Sequence, residues 1–450
     1  MHKLAELLPG RISTEPADLV CYGFDASGIE AQPTAVVWPQ STQDVVKVMQ
    51  YAFEHAVPVI PRGAGTGMTG GSVPCHGAIV LSTERMNRIL EIDAENLTAL
   101  VEPGVINGRL QRELERHRLF YPPDPSSMNF CTIGGNVAEN AGGPRAVKYG
   151  VTRDYVLGLE AVLPDGTVIH TGVQTAKGVV GYDLTRLLVG SEGTLAVVTQ
   201  IRLRVLPTPE SVVALLVLFR ELEPAGVAVK DILGSGIIPR TLEFLDRETV
   251  RAVENYKRTG LPQDAEAVLL IELDGHASAI TKEAQTVSTI CRNLGGEAIM
   301  AEDETARTKL WEARRAISPA LFHISPTKIN EDIVVPRSRL AEMLMRLRAI
   351  AGKSGIRIVN FGHAGDGNIH VNLMVNRENP EELEQAKRAV AEIFTVTLEL
   401  GGTISGEHGI GLTKAPYLPM EVPQAELALM KRVKAVFDPR NILNPGKIFP

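Results

Sequence analysis

The sequence predicts an α+β fold built from two domains. A chain of 450 residues, 44% of them hydrophobic, is long enough to bury two or three hydrophobic cores. Short strand patterns alternate with amphipathic helical stretches, and the composition changes at Pro207 and Pro209. These observations place a domain border near residue 207.

The first domain carries a glycine-rich loop, RGAGTGMTGG, over residues 62–71. A helix is predicted over 42–55, because Ser41 and Asp44 form a capping signal, and an apolar strand over 57–61 leads into the loop. Five glycines in nine residues allow a backbone to curl around an anion, with its N–H groups pointing at phosphate oxygens. The loop matches neither a Rossmann nor a Walker pattern, and a flexible surface loop is the alternative.

A second glycine-rich run covers residues 122–127 and 132–143. Its small residues would leave a slot for a flat ring or a pyrophosphate, and so many glycines argue against a core helix. Further elements of the first domain are predicted as strands over 79–81, 89–93 and 97–101, a helix over 105–116, a hairpin over 155–171 and a strand over 196–205.

The second domain is predicted as a sheet with helices. Strands are expected over 212–219, 241–245, 267–273 and 328–335, and helices over 223–233, 279–294, 302–321, 339–351 and 381–400, with a further helix over 424–437 in the C-terminal segment.

The stretch 359–374, VNFGHAGDGNIHVNLM, predicts a hairpin that brings His363 and His370 side by side. Alternation along its second strand puts His370 and Asn372 on one face. A second acid and imidazole pair lies between glycines at Glu407 and His408. Two imidazoles and a carboxylate suit a divalent metal, whereas the alternative is that each histidine is a hydrogen-bonded core or surface residue. The spacing of these residues does not decide whether the metal is zinc, manganese or iron.

Composition excludes several classes of protein. A net charge of −7 without a long basic run disfavours nucleic-acid binding. The longest strongly apolar run, 212–219, is too short for a transmembrane segment, and MHKLAELLPG lacks a signal-peptide core. We therefore expect a cytoplasmic protein, with peripheral attachment to the inner membrane through a partner left open. Four scattered cysteines support neither a disulfide framework nor an iron–sulfur cluster.

Five ordered motifs, PRGAGTGMTGG, PPDPSS, TIGGNVAENAGG, VGSEGTLAVVT and NPGKIF, resemble the vanillyl-alcohol-oxidase-like flavoproteins. The resemblance implies a two-subdomain FAD-binding domain over 1–206, an α+β cap domain with an antiparallel sheet over 207–415, and a C-terminal segment, 416–450, that returns to the FAD domain. It implies non-covalent FAD, because the loops lack a histidine at the place where some members bond the flavin. The residues expected to bind FAD are Arg62, Gly63, Ala64, Gly65, Thr66, Gly67, Pro123, Asp124, Ser126, Thr132, Gly134, Gly135, Asn136, Asn140, Gly143, Glu192, Gly193 and Asn444.

GHAGDGNIHVN and SGEHGIGLTK resemble the narrower branch of D-lactate dehydrogenase, the glycolate oxidase flavoprotein subunit and D-2-hydroxyglutarate dehydrogenase. The resemblance implies that His363, His370 and Glu407 bind the metal, that His408 is the base for the hydroxyl proton, and that Asn372 orients the substrate. In LWEARRAIS it places Arg314 on the substrate carboxylate and Ser318 where the hydroxyglutarate enzymes have a threonine, and in SPTKINEDI it places Lys328 where the branch has a second cation. A solvated salt bridge is the alternative for both cations.

The implied activity is FAD-dependent oxidation of a small D-2-hydroxy acid, namely D-lactate, glycolate or D-2-hydroxyglutarate. Electrons would leave to an electron-transfer flavoprotein, an iron–sulfur subunit or a quinone. Two rivals stay open at this point, a metal-dependent hydrolase and a non-catalytic subunit that holds FAD within a larger redox complex. A homodimer also stays open.

Overall fold

A computed structural model describes residues 2–175, 177–301 and 303–450. The chain divides into two compact units. The first contains Met1–Gly142, Val151–Thr208 and Glu407–Pro450, and the second contains Gly143–Gly150 and Pro209–Gly406. The first unit therefore ends its central segment at Thr208, and the chain returns to it at Glu407.

The described part of the first unit contains a four-stranded and a five-stranded sheet. In spatial order, the four strands are Ile12–Ser13, Ala35–Val37, Ile79–Ser82 and Val59–Arg62. The five are Ile89–Asp93, Thr98–Val101, Val197–Arg204, Val156–Val162 and Val168–Gly172. A further pair joins Leu119–Phe120 to Leu206–Pro207. The helices are His2–Leu7, Pro16–Cys21, Thr42–His55, Asn107–Glu115, Ile133–Glu139, Leu184–Leu188, Leu418–Glu421 and Gln424–Phe437.

Helix Thr42–His55 shows how local signals and packing agree. The Ser41 hydroxyl accepts a hydrogen bond from the Asp44 amide and caps the helix, as predicted. Its apolar face packs on the four-stranded sheet, where Met49 and Leu81 share one core cluster. A short helix, His2–Leu7, lies near the start of the chain, and residue 1 lies outside the described part.

The expectation that residues 132–143 would contain no helix is wrong. Helix Ile133–Glu139 runs through this stretch, and Thr132 caps it by accepting a hydrogen bond from the Gly135 amide. A Cβ atom on Gly134 would lie 2.6 Å from Pro103 Cβ, so glycine allows a close packing that a larger residue would block. Tertiary packing here outweighs the poor helix propensity of glycine.

The second unit is built on a seven-stranded sheet within the described residues, and each neighbouring pair is antiparallel. The spatial order is Glu297–Met300, Ser211–Phe219, Ala267–Gly275, Thr241–Asp246, Arg357–His363, Asn368–Val375 and Thr327–Val334. Its helices are Ala146–Tyr149, Leu222–Gly234, Arg247–Lys257, Ala277–Asn293, Glu304–Arg315, Ile317–Leu321, Leu340–Ser354 and Pro380–Glu399. The predicted antiparallel sheet is confirmed.

One helix of the second unit was not predicted, and one predicted helix is divided. Helix Arg247–Lys257 was not expected, although Asp246 caps it by accepting a hydrogen bond from the Thr249 amide. The single helix expected over 302–321 is split at Ala316 into two helices, and residue 302 lies outside the described residues. Within the described chain, none of the helices has the length and apolar character needed to cross a bilayer.

Candidate functional site

The predicted histidine hairpin is confirmed. Strands Arg357–His363 and Asn368–Val375 pair antiparallel, with Phe361 opposite His370. Gly367 completes the turn at a φ of 85°, and a Cβ there would lie 2.0 Å from the Val335 carbonyl oxygen, so the turn requires glycine. The two imidazoles are buried, and their Nε2 atoms are 3.4 Å apart. Both nitrogens thus converge on one point, as the ligands of a metal ion do.

A carboxylate that sequence reasoning missed lies directly beside this pair. Glu243 is opposite His363 on the neighbouring strand and is completely buried. His363 Nδ1 lies 2.6 Å from Glu243 Oε1, and Arg314 Nε donates to Oε2 at 2.6 Å. Burial would raise the pKa of Glu243, but the nearby His363 and Arg314 outweigh it, so that the pKa lies below its ordinary value and the carboxylate is charged.

Arg314 lies in the last turn of helix Glu304–Arg315 and is 6% exposed, so its ion pair is buried rather than solvated. Its guanidinium lies over the Phe361 ring at 4.9 Å. Among the described residues, Arg314 Nη2 has no hydrogen-bond partner. A buried donor of this kind fits a carboxylate that comes from outside the chain.

The other predicted residues of the second unit have different surroundings. Asn372 uses its Nδ2 to donate to the carbonyl oxygens of Val359 and His370, and its Oδ1 accepts from Asn330 Nδ2 at 2.6 Å. Asn372 therefore braces the hairpin, and any substrate contact would have to use its oxygen. Asp332, also missed from sequence, is buried with its Oδ1 3.7 Å from His370 Nδ1.

Lys328 and Ser318, two of the predicted substrate-site residues, lie in contact with each other. The Lys328 ammonium donates to Ser318 Oγ at 3.1 Å and lies 5.0 Å from the centre of the Phe322 ring. Burial lowers the pKa of Lys328 to about 8. The ammonium is therefore poised to change its charge just above neutral pH.

The Gly-Glu-His-Gly segment belongs to both units. Gly406 ends the second unit, and its amide donates to Asp332 Oδ2 at 3.0 Å. Glu407 and His408 belong to the first unit, where a Cβ on Gly142 would lie 2.6 Å from Glu407 Oε1. The His408 carbonyl oxygen accepts from Thr69 Oγ1 at 3.0 Å. The segment therefore reaches both glycine-rich runs of the first unit.

The two glycine-rich runs, residues 62–71 and 132–143, pack closely against each other and form what we call the glycine-lined cradle. A Cβ on Gly63 would lie 2.3 Å from Thr132 Oγ1, so the first loop can touch the second run because it carries glycine there. Buried Asn136 leaves its Nδ2 without a hydrogen-bond partner in the described chain. An unpartnered donor beside glycine-lined backbone fits a bound phosphate or flavin.

Other predicted FAD residues hold the cradle together. Arg62 donates to the Phe24 carbonyl oxygen at 2.6 Å and to Ser72 Oγ at 3.1 Å, which closes the first loop. Asn444 Nδ2 donates to the carbonyl oxygens of Gly71 and Glu192, and thereby ties the C-terminal segment to two loops. The predicted return of the C-terminus to the FAD domain is confirmed. Of the predicted set, Gly143 is grouped with the second unit and the others with the first.

Both halves of the chain are similar to known protein families. Residues 208–448 match the C-terminal domain of FAD-linked oxidases, and residues 33–172 match an FAD-binding domain. The chain is 48% identical to the glycolate oxidase subunit GlcD of Bacillus subtilis, covering 98% of this chain and 94% of that protein. It is 36% identical to a D-lactate dehydrogenase of Anaerostipes hadrus, covering 100% and 96% of the two chains. A crystal structure of p-cresol methylhydroxylase shares the fold, with a TM-score of 0.84, 19% identity and coverage of 99% and 95%.

Proposed function

The chain belongs to the FAD-linked oxidases, and from this membership we propose that it oxidises a small D-2-hydroxy acid to the 2-oxo acid with the help of a divalent metal. It is an FAD-linked oxidoreductase of the GlcD and D-lactate dehydrogenase type, as its motifs predicted. The observation that carries the proposal is Glu243, which lies between a histidine of the converging pair and an arginine with a spare donor.

His363, His370 and Glu407 would hold the metal. The two imidazoles present nitrogens 3.4 Å apart, and Glu407 is joined by one peptide bond to Gly406, whose amide binds Asp332. Neutral imidazoles and a carboxylate suit zinc, manganese or iron. A bound divalent cation would make the substrate hydroxyl more acidic.

The chain's own residues would bind the acid and take its proton. Arg314 Nη2 is suited to donate a hydrogen bond to the substrate carboxylate, and Lys328 supplies a second positive charge. The His408 imidazole would accept the hydroxyl proton, on a backbone that Thr69 anchors.

The glycine-lined cradle would hold FAD without a covalent bond, and bound FAD would supply the redox chemistry. The four cysteines of the chain are free and far apart in sequence. Electrons would therefore pass to an external acceptor, an electron-transfer flavoprotein, an iron–sulfur subunit or a quinone. A protein acceptor is supported by the relative's name, because GlcD is called a subunit of glycolate oxidase.

We expect anaerobic addition of D-lactate, glycolate or D-2-hydroxyglutarate to bleach the visible flavin absorbance of the purified protein. The acid with the highest ratio of bleaching rate to concentration identifies the substrate, and L-lactate serves as the stereochemical control. A flavin that none of these acids bleaches would favour the rival reading of a non-catalytic FAD-holding subunit. A preparation without flavin absorbance would instead reopen the metal-hydrolase reading.

We expect the KM for the acid to rise by roughly tenfold as the pH passes upward through about 8, because Lys328 then loses its charge. Below that pH the lysine is protonated and attracts the anionic substrate. Lys328→Arg should remove this rise, since arginine stays charged, whereas Lys328→Met should show the high KM at every pH. Steady-state KM measured across the pH range decides this, and a wild-type KM that stays flat would exclude Lys328 from substrate binding.

A further inference from the structure

Glu243 is unusual because each of its two carboxylate oxygens meets a different functional group. Oε1 faces His363 Nδ1 at 2.6 Å, and Oε2 accepts from Arg314 Nε at 2.6 Å. The side chain is completely buried in the middle of the sheet, on strand Thr241–Asp246. Bulk water therefore does not reach either contact in this structure.

The two neighbours respond differently to their shared acceptor. An arginine side chain has only hydrogen-bond donors, so its buried Nε always needs an acceptor. A histidine can carry its proton on either nitrogen, and the partner of one nitrogen decides which. A carboxylate at Nδ1 keeps the proton on that nitrogen, so that Nε2 is unprotonated and has a lone pair available to a metal ion. In this structure, that Nε2 faces His370 Nε2 at 3.4 Å.

We infer that Glu243 is a positioning residue that holds His363 in the Nδ1-protonated form and thereby presents Nε2 as a metal-binding lone pair, while its other oxygen directs Arg314. The inference rests on the proposed function in taking His363 as a metal ligand. It adds one buried residue that orients both the metal ligand His363 and Arg314, the proposed donor to the substrate carboxylate. Neighbours of this kind commonly change metal affinity by about 10- to 100-fold when they are replaced.

Glu243→Gln tests the inference because it keeps the shape and loses one acceptor. Arg314 can pair with the amide oxygen alone, so the amide nitrogen must turn toward His363. His363 would then accept through Nδ1 and move its proton to Nε2, where it blocks metal binding. A purely structural role for Glu243 would leave the protonation pattern of His363 unchanged.

The control is Glu254→Gln. Glu254 is another buried carboxylate of the same unit, and it accepts hydrogen bonds from the amides of Thr259, Gly260 and Leu261. This substitution carries the structural penalty of altering a buried carboxylate without touching the histidine. Thermal unfolding of both variants separates that penalty from the effect at the site.

The experiment has two readouts. The first is ¹⁵N NMR of protein labelled at its histidines, recorded without metal at mildly alkaline pH. The ¹⁵N chemical shifts show which ring nitrogen of His363 carries the proton, and a spectrum of His363→Phe assigns the signals. Competition with a chromogenic chelator gives the Zn²⁺ affinity. We expect a protonated Nδ1 in the wild type and in Glu254→Gln, and a shift to Nε2 with about 10- to 100-fold weaker Zn²⁺ binding in Glu243→Gln.

An unprotonated Nδ1 in the wild type would overturn the inference even if Glu243→Gln failed to fold. Unchanged Zn²⁺ affinity in a folded Glu243→Gln would overturn it as well. These results are distinguishable from a failure of the proposed function, because flavin bleaching by the hydroxy acids and Zn²⁺ binding by the wild type are measured separately. A wild type that binds no Zn²⁺ would overturn the metal site together with this inference.

Discussion

His408→Ala is expected to slow flavin reduction by about 10²- to 10⁴-fold, the range for loss of a general base. The backbone should stay in place, because the His408 carbonyl oxygen accepts from Thr69 Oγ1 at 3.0 Å and this bond does not involve the imidazole. The variant should therefore keep its FAD and its yellow colour. Stopped-flow measurement of anaerobic flavin reduction tests the expectation.

The pH profile distinguishes a base from a structural group. In the wild type, reduction should slow at acid pH as the base becomes protonated, and this acid limb should disappear in His408→Ala. His170→Ala is the matched control, because His170 is an exposed imidazole of the same unit and pairs with Glu160 at 3.1 Å. Near-normal reduction by His408→Ala would remove this residue as the base.

The features that the sequence predicted well depend on local chemistry. The turn residues between His363 and His370 and the alternation of the second strand are enough to predict the hairpin and the convergence of its imidazoles. Helix Thr42–His55 follows in the same way from its cap and its apolar face. In each case the interacting residues are close in sequence, so their pattern carries the information.

The residues that sequence reasoning missed depend on distant neighbours. Glu243 lies 120 residues before His363, and a single acidic residue in the apolar stretch TLEFL gives no indication of its partner. The only available signal was a charge at a position expected to be buried. The helix Ile133–Glu139 was missed for a related reason, because the packing of Gly134 on Pro103 cannot be read from local propensity.

Removal of the metal is expected to abolish turnover, and added divalent metal should restore it. The cation is proposed to make the substrate hydroxyl acidic, an effect worth several kcal/mol, or on the order of 10³-fold or more in rate. His370→Ala should reproduce the loss, and metal should then fail to restore activity. Activity and metal content, measured after treatment with a chelator and again after reloading, test this directly.

Metal binding should also raise the stability of the folded protein. A metal that binds the folded chain alone stabilises it by about 2.7 kcal/mol at a concentration one hundred times its Kd. The unfolding temperature of the wild type should therefore rise with added metal, while that of His370→Ala should not. His276→Ala is the control, because His276 is an exposed imidazole of the same unit whose Nδ1 lies 3.4 Å from Glu210.

The flavin reports whether a loss of activity is specific. The two histidines lie on the sheet of the second unit, whereas the glycine-lined cradle lies in the first, apart from Gly143. Loss of metal should therefore leave FAD bound, and an inactive His370→Ala protein should still be yellow. Loss of both cofactors would indicate misfolding rather than loss of a ligand. A fully active preparation without metal would show that the converging imidazoles serve some purpose other than metal binding.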